Sequence, residues 1–151
     1  MIYDFIKRRG YITNTARGVT TLVEGTSETV LHVNDWPMNA AIVELYAGSP
    51  HAGKLADAIK KADARTMQRG CAAQTMTDIA AGRTQALVVL ENPHASLWDV
   101  APGVLLGVNA GARVYNIHGD RNAFTLQNPN MVIGAPQAAK ALLRIAEKIA
   151  A

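Results

Sequence analysis

Asp99 is the only charged residue in the stretch LWDVAPGVLLGVNAG, residues 97 to 111. If VAPGVLLGVNA is a helix, Asp99 is its N-cap, where the carboxylate accepts hydrogen bonds from first-turn amides and Pro102 falls where a missing N–H does no harm. A helix N-terminus beside a strand end also holds anions and metal-bound phosphates, so one carboxylate can cap the helix and face a site. Cys71, beside three small residues in GCAA, has the side chain of a thiol nucleophile, but no feature supplies its base and orienter. Its plain reading is a buried small residue. His32, His51, His94 and His118 have none of the short spacings of a zinc site. His118 with Asp120 and Arg121 in IHGDRN forms a polar cluster at a strand end, where α/β sheets collect ligands, or else a solvated turn.

These side chains need a scaffold, and 151 residues at 49% hydrophobic and 18% charged are enough for one domain, 1–151, with a real core. Residues 11–33, rich in Thr and Val with Gly18 and Gly25 as punctuation, predict short antiparallel strands within a β-rich lead-in over 1–39. From residue 40 strands and helices alternate. AAIVELYAG reads as a strand, HAGKLADAIKKADA as a helix with Leu55 and Ile59 on one face, and CAAQTMTDIAAG as a helix ended by Gly82. ALVVL is a strand buried on both faces, ARVYNI and MVIGA are further strands, and QAAKALLRIAEKIA closes the chain as an amphipathic helix. The expected fold is a layered α/β domain whose mixed, mostly parallel sheet is flanked by helices and preceded by a short antiparallel β segment. Asp78 falls in mid-helix and is expected to face solvent.

The formal charge of +3 is spread along the chain and aromatics are only 5%, which argues against a nucleic-acid polymer and favours small anions. No apolar run is long enough to span a bilayer, the N-terminus lacks a secretory pattern, and one cysteine forms no internal disulfide. A cytoplasmic protein is expected.

Gly70 to Ala73, Ala80 to Arg83, Trp98 to Gly103 and Asn109 to Ala112 follow one another as do the Gly-Ser-Ala-Ala-like, Ala-Ala-Gly-Arg, Trp-Asp-x-Ala-Ala-Gly and Glu-Ala-Gly-Gly segments of the inositol monophosphatase family. The chain resembles the C-terminal half of that family, and RRGYITN is similar to the family's Gly-x-Gly-Ala-Phe-x-Asn-Gly hairpin. The resemblance implies a magnesium-dependent phosphomonoesterase of αβαβα form, with Asp99 at a metal-ligand position and Trp98 as a core anchor. Its other metal ligands are a glutamate and an Asp-Pro-x-Asp-Gly-Thr motif, and none of the twelve acidic residues here stands in such a motif. Cys71 replaces the family's serine and Asn109 a glutamate that meets substrate hydroxyls. An amide donates as well as accepts, so polyol specificity would change.

The resemblance also implies a pocket. Gly70, Cys71, Ala72 and Ala73 keep the small character that lets a ligand approach backbone amides, and helix N-termini near residues 71 and 99 attract phosphate. The expected ligand contacts are these four with Asp99, Asn109, His118 and Arg121. The expected function is binding or sequestration of a phosphorylated small molecule, a nucleotide or sugar phosphate, with no cofactor required. The alternative is a phosphomonoesterase using Mg2+, with Asp99 a ligand in a site that another chain completes; a protein-interaction module is the third reading. A lobe lacking the other half would expose apolar surface, so a homo-oligomer, most simply a dimer, or a substitute partner chain is expected. Trp36, in a turn-like loop, is an interface candidate if exposed.

Overall fold

Alternating Thr and Val between glycine turns gives a meander, as expected. In the computed structural model, which describes residues 1–48, 51–92, 95–117 and 130–150, β1 (Ile2–Asp4), β2 (Arg9–Asn14), β3 (Val19–Glu24) and β4 (Ser27–Leu31) form a four-stranded antiparallel sheet in that order. β1 lies within the expected β-rich lead-in over 1–39 but before the 11–33 stretch read as strands, and it pairs with β2 through a turn that holds Arg8 at φ 51°. The register aligns Ile2, Tyr11, Leu22 and Thr29 across the strands, and Thr20 with Leu31. Side chains two apart share a face, so Tyr11, Leu22 and Leu31 point the same way.

The second sheet runs β6-β5-β7-β9-β8, with β5 at Ile42–Ala47, β6 at Arg65–Met67, β7 at Ala86–Leu90, β8 at Arg113–Asn116 and β9 at Met131–Gly134. β5 is parallel to β6 and β7, while β9 is antiparallel to β7 and β8, so only β9 is reversed. β6, three residues with no apolar run, gives no strand pattern in the sequence.

The helices are α1 (His51–Lys61), α2 (Ala72–Ala80), α3 (Leu97–Asn109) and α4 (Pro136–Ala150). Leu55 and Ile59 of α1 and Leu142 of α4 pack with Val43, Leu45, Val88 and Val132 on one face of the mixed sheet. Met76 and Ile79 of α2 and Val100 and Val104 of α3 pack with Leu87, Val89 and Ile133 on the other. The far side of the α2–α3 layer meets the antiparallel sheet, where Ala80, Leu106 and Ala110 contact Tyr11 and Leu31. The layers therefore run β-α-β-α, one fewer than the αβαβα form that the resemblance implies. α1 and α4 carry lysines toward solvent, whereas α2 and α3, held between two sheets, have one charged residue each, Asp78 and Asp99. Among the described residues no helix is long and apolar enough to cross a membrane.

Candidate functional site

Along β5 successive side chains alternate between the layers, and Glu44 and Tyr46 are the polar positions on the α2–α3 face. Tyr46, near the carboxyl end of the strand, has its phenol pushed above the ordinary tyrosine range, first by burial and then by the electrostatic influence of Asp99 and Cys71. Both residues are thus within electrostatic reach of one phenol. Cys71 is the extended N-cap of α2 (φ −133°, ψ 94°) and its side chain does not cap the helix; Asp99 lies in the first turn of α3. The starts of two helices meet beside the end of a strand. Gly70 enters α2 with φ +74°, a left-handed conformation that costs glycine little. Ala72 is buried and Ala73 half-buried, while Cys71 is exposed rather than buried as expected.

Asp99 is not the N-cap. Ser96 takes that position and α3 starts at Leu97, so Asp99 is the third helical residue of a capping box. Its Oδ2 accepts hydrogen bonds from the Ser96 N–H at 2.9 Å and the Ser96 hydroxyl at 2.7 Å. A serine three residues before an acid, ahead of an apolar run, is the sequence signal for this start. Pro102 then falls in the second turn, where it denies the Trp98 carbonyl its usual donor. Trp98, expected as a core anchor, is 84% exposed. The reason is helical phase: Val100, Val104 and Leu106 are the α3 side chains buried between the sheets, which leaves Trp98 outside.

Asn109 ends α3, about 15 Å along the axis from Asp99 at 1.5 Å per residue. Its amide donates to the Thr13 hydroxyl on β2, so the structure does not bring it to the Cys71–Asp99 convergence. His118 and Arg121, with Asp120 and His94, lie outside the described residues.

Asp78, expected to face solvent, is 6% exposed, because α2 has a sheet on each side. Its Oδ2 accepts from Arg69 at 2.6 Å and its Oδ1 from Arg83 Nε at 2.9 Å. Burial pushes the Asp78 carboxyl up, but the bonds from Arg69 and Arg83 outweigh it and hold the group below the usual carboxylate range. Arg69 also donates from its backbone N–H and from Nε to the buried Glu44, and Arg83 donates to the Tyr11 hydroxyl at 2.9 Å. Two guanidinium groups and two carboxylates thus neutralise one another. They tie β5, the lead into α2 and the antiparallel sheet together, and fix the backbone that presents Gly70 and Cys71. The arginine of the Ala80–Arg83 motif has its role here. Sequence reasoning missed Glu44, Tyr46 and Arg69, although two polar positions two apart in an otherwise apolar strand were a usable signal.

The resemblance implies magnesium, which needs near-octahedral oxygen coordination. Among the described residues no group of three or more His, Cys, Asp or Glu side chains could hold a metal ion, and Asp99 already commits Oδ2 to Ser96. The described side chains do not fit a resident magnesium by themselves. His51, at the start of α1, pairs through Nε2 with Glu91 at 2.8 Å, with no third such ligand among the described residues.

The fold and the segment order define the class. The chain belongs to the inositol monophosphatase family, whose profile matches residues 2–151. Among solved structures, Mycobacterium tuberculosis SuhB is similar at 24% identity and a TM-score of 0.74, covering 97% of this chain and 57% of that one. The extragenic suppressor protein SuhB of Bartonella henselae is similar at 20% identity and a TM-score of 0.69, covering 93% and 57%. SaIMPase-II, in one structure bound to inositol monophosphate and in another to 2′-AMP, is similar at 18% identity and a TM-score of 0.64, covering 93% and 56% in each case. The chain therefore spans a little over half the length of these relatives. No curated protein sequence matches it.

Proposed function

We propose that this chain binds a phosphorylated small molecule, a nucleotide or sugar phosphate, where α2 and α3 begin, and holds it without hydrolysis. The observation that carries this reading is that Ala72 and Val100, near the starts of α2 and α3, belong to one core cluster against which Tyr46 packs. The start of α2 contributes roughly half a positive charge, whereas the start of α3 is capped by Ser96 and carries the Asp99 carboxylate, so the phosphate belongs at α2. The first turn of α2 has no side-chain cap, so its amides can donate to phosphate oxygens past the small side chains of Gly70 to Ala73. The Tyr46 phenol keeps its proton and can donate as well, while the Asp99 carboxylate can accept from a sugar hydroxyl. Structures of SaIMPase-II with inositol monophosphate and with 2′-AMP support this ligand class. Intact retention is supported by the lack of fit for magnesium among the described residues.

A second reading is favoured by one observation, the chain's coverage of 57% of its relatives' length. In it another chain supplies the missing carboxylates, Asp99 joins them, and the assembly is a magnesium-dependent phosphomonoesterase. Phosphorus NMR of 2′-AMP and of inositol monophosphate with the purified chain separates the two. Line broadening in EDTA with both esters unchanged after a day supports binding alone. Magnesium-dependent growth of an inorganic phosphate signal overturns it.

A further inference from the structure

We propose that a second site, separate from the one beside Tyr46, lies at the amino end of β5 and β6 and takes a free amino acid with an aromatic side chain. An open hollow of about 360 Å³ is lined there by Trp36, Asn39, Ile42, Asp63 and Arg65. That volume is at the lower end of the ~300–1,000 Å³ of ligand pockets, so it suits one small molecule and not a polymer. Ile42 and Arg65 are register partners where the two strands begin. Tyr46 stands four residues further along β5, about 13 Å away at roughly 3.3 Å per residue.

The backbone holds both walls of the hollow. On one side the Asp35 carboxylate accepts the Gln137 N–H at 2.8 Å and the Asp35 carbonyl accepts from the Gln137 side-chain amide at 3.1 Å. Pro37, at φ −64°, leads into a single 3-10 turn, Met38–Ala40. Trp36 lies between these two fixed points and is 46% exposed. On the other side α1 ends at Lys61, and Asp63 follows at φ 58°, a left-handed position that helix ends more often give to glycine or asparagine. Ala64 is buried, and the Arg65 N–H donates to the Ala41 carbonyl at 2.9 Å.

Asp63 and Arg65 both line the hollow, yet neither side chain has a hydrogen bond or ion pair, with the other or with anything else among the described residues, and the same is true of the Asn39 amide. Two opposite charges that share one small hollow without closing on each other leave room between them for a group that carries both signs. An α-amino acid bears its ammonium and its carboxylate on one carbon. The ammonium can donate to Asp63 while the carboxylate accepts paired bonds from the Arg65 guanidinium, and the Asn39 amide can meet either end. Trp36 offers an indole beside the apolar Ile42, against which an aromatic side chain stacks or sits edge-on. A phosphate ester fits less well, because Asp63 repels the anion that Arg65 attracts.

Fluorescence in a Trp98→Phe background, where Trp36 is the only tryptophan, tests the site. L-phenylalanine should shift the emission saturably. Phenethylamine, which lacks the carboxylate, and hydrocinnamate, which lacks the ammonium, should each bind at least tenfold more weakly. Arg65→Gln should weaken L-phenylalanine at least tenfold and leave phenethylamine no weaker. Asp63→Asn, which keeps a residue suited to the left-handed position, should weaken L-phenylalanine as much and leave hydrocinnamate no weaker. Circular dichroism of both variants should match the parent. An emission that never saturates, three compounds bound alike, or variants that bind L-phenylalanine as the parent does would each overturn the inference.

Discussion

Gly103 separates a packing role from a ligand role within the Trp98–Gly103 motif. A Cβ built on Gly103 would stand 2.5 Å from the Met76 Cβ on α2, where carbon atoms need about 3.5–4.0 Å. The Met76 thioether can swing away, but its Cβ is fixed to the backbone. Gly103→Ala must therefore push α2 and α3 apart by about 1 Å, and overpacking of this kind costs about 1–3 kcal/mol. Alanine's helix propensity returns close to 1 kcal/mol, so the net loss is about 0–2 kcal/mol. For a chain of this size that lowers the melting temperature by as much as about 8 °C. At Gly53 in α1 nothing lies within 4 Å of an added Cβ, so Gly53→Ala should stabilise by about 0.5 kcal/mol. Calorimetric melting of both variants should thus show opposite signs. If Gly103→Ala raises the melting temperature as Gly53→Ala does, the two helices are not in close contact, and the meeting of their N-termini loses its support.

Asp78→Asn removes the shared acceptor of Arg69 and Arg83. At neutral pH it should cost about 1–3 kcal/mol, the loss being moderated because both arginines are partly exposed. The Asp78 carboxyl is held below its usual range when folded, so its stabilisation is full above about pH 4 and fades as pH falls through the folded value. Urea titrations should show the gap between wild type and variant closing in acid; a gap independent of pH contradicts the network. Cys71→Asp should raise stability by about 0.5–1 kcal/mol through N-capping while weakening phosphate-ester binding at least tenfold by like charge. Unchanged affinity would move the ligand elsewhere. In an alkaline absorbance titration Tyr46 should ionise above the ordinary tyrosine range and shift downward in Asp99→Asn; no shift would mean that the two do not face each other.

Much of this fold can be read from residue patterns, because its elements bury faces of clear period. ALVVL becomes β7 as quoted, and Gly82 follows the C-cap of α2 with φ 71°. What the pattern conceals is which helices have no solvent side. Asp78 reads as a surface residue in a one-dimensional scan and is buried because α2 sits between two sheets. For the same reason Trp98, on the α3 face that neither sheet covers, is outside rather than in the core. The start of α3 was within reach of the sequence, since Ser96 and Asp99 spell a capping box, but Asp99 alone satisfies the simpler N-cap rule. Tyr46 joins the site through parallel strand order, which places the end of β5 beside two helix starts, and no local motif encodes that.

Calorimetric titration of 2′-AMP into the chain in EDTA, compared with Cys71→Asp, decides whether phosphate is held at the start of α2 without a metal. Saturable heat for the wild type, at least tenfold weaker binding for the variant and nucleotide recovered intact are expected. Heat that appears only with magnesium and comes with released phosphate would overturn metal-free binding.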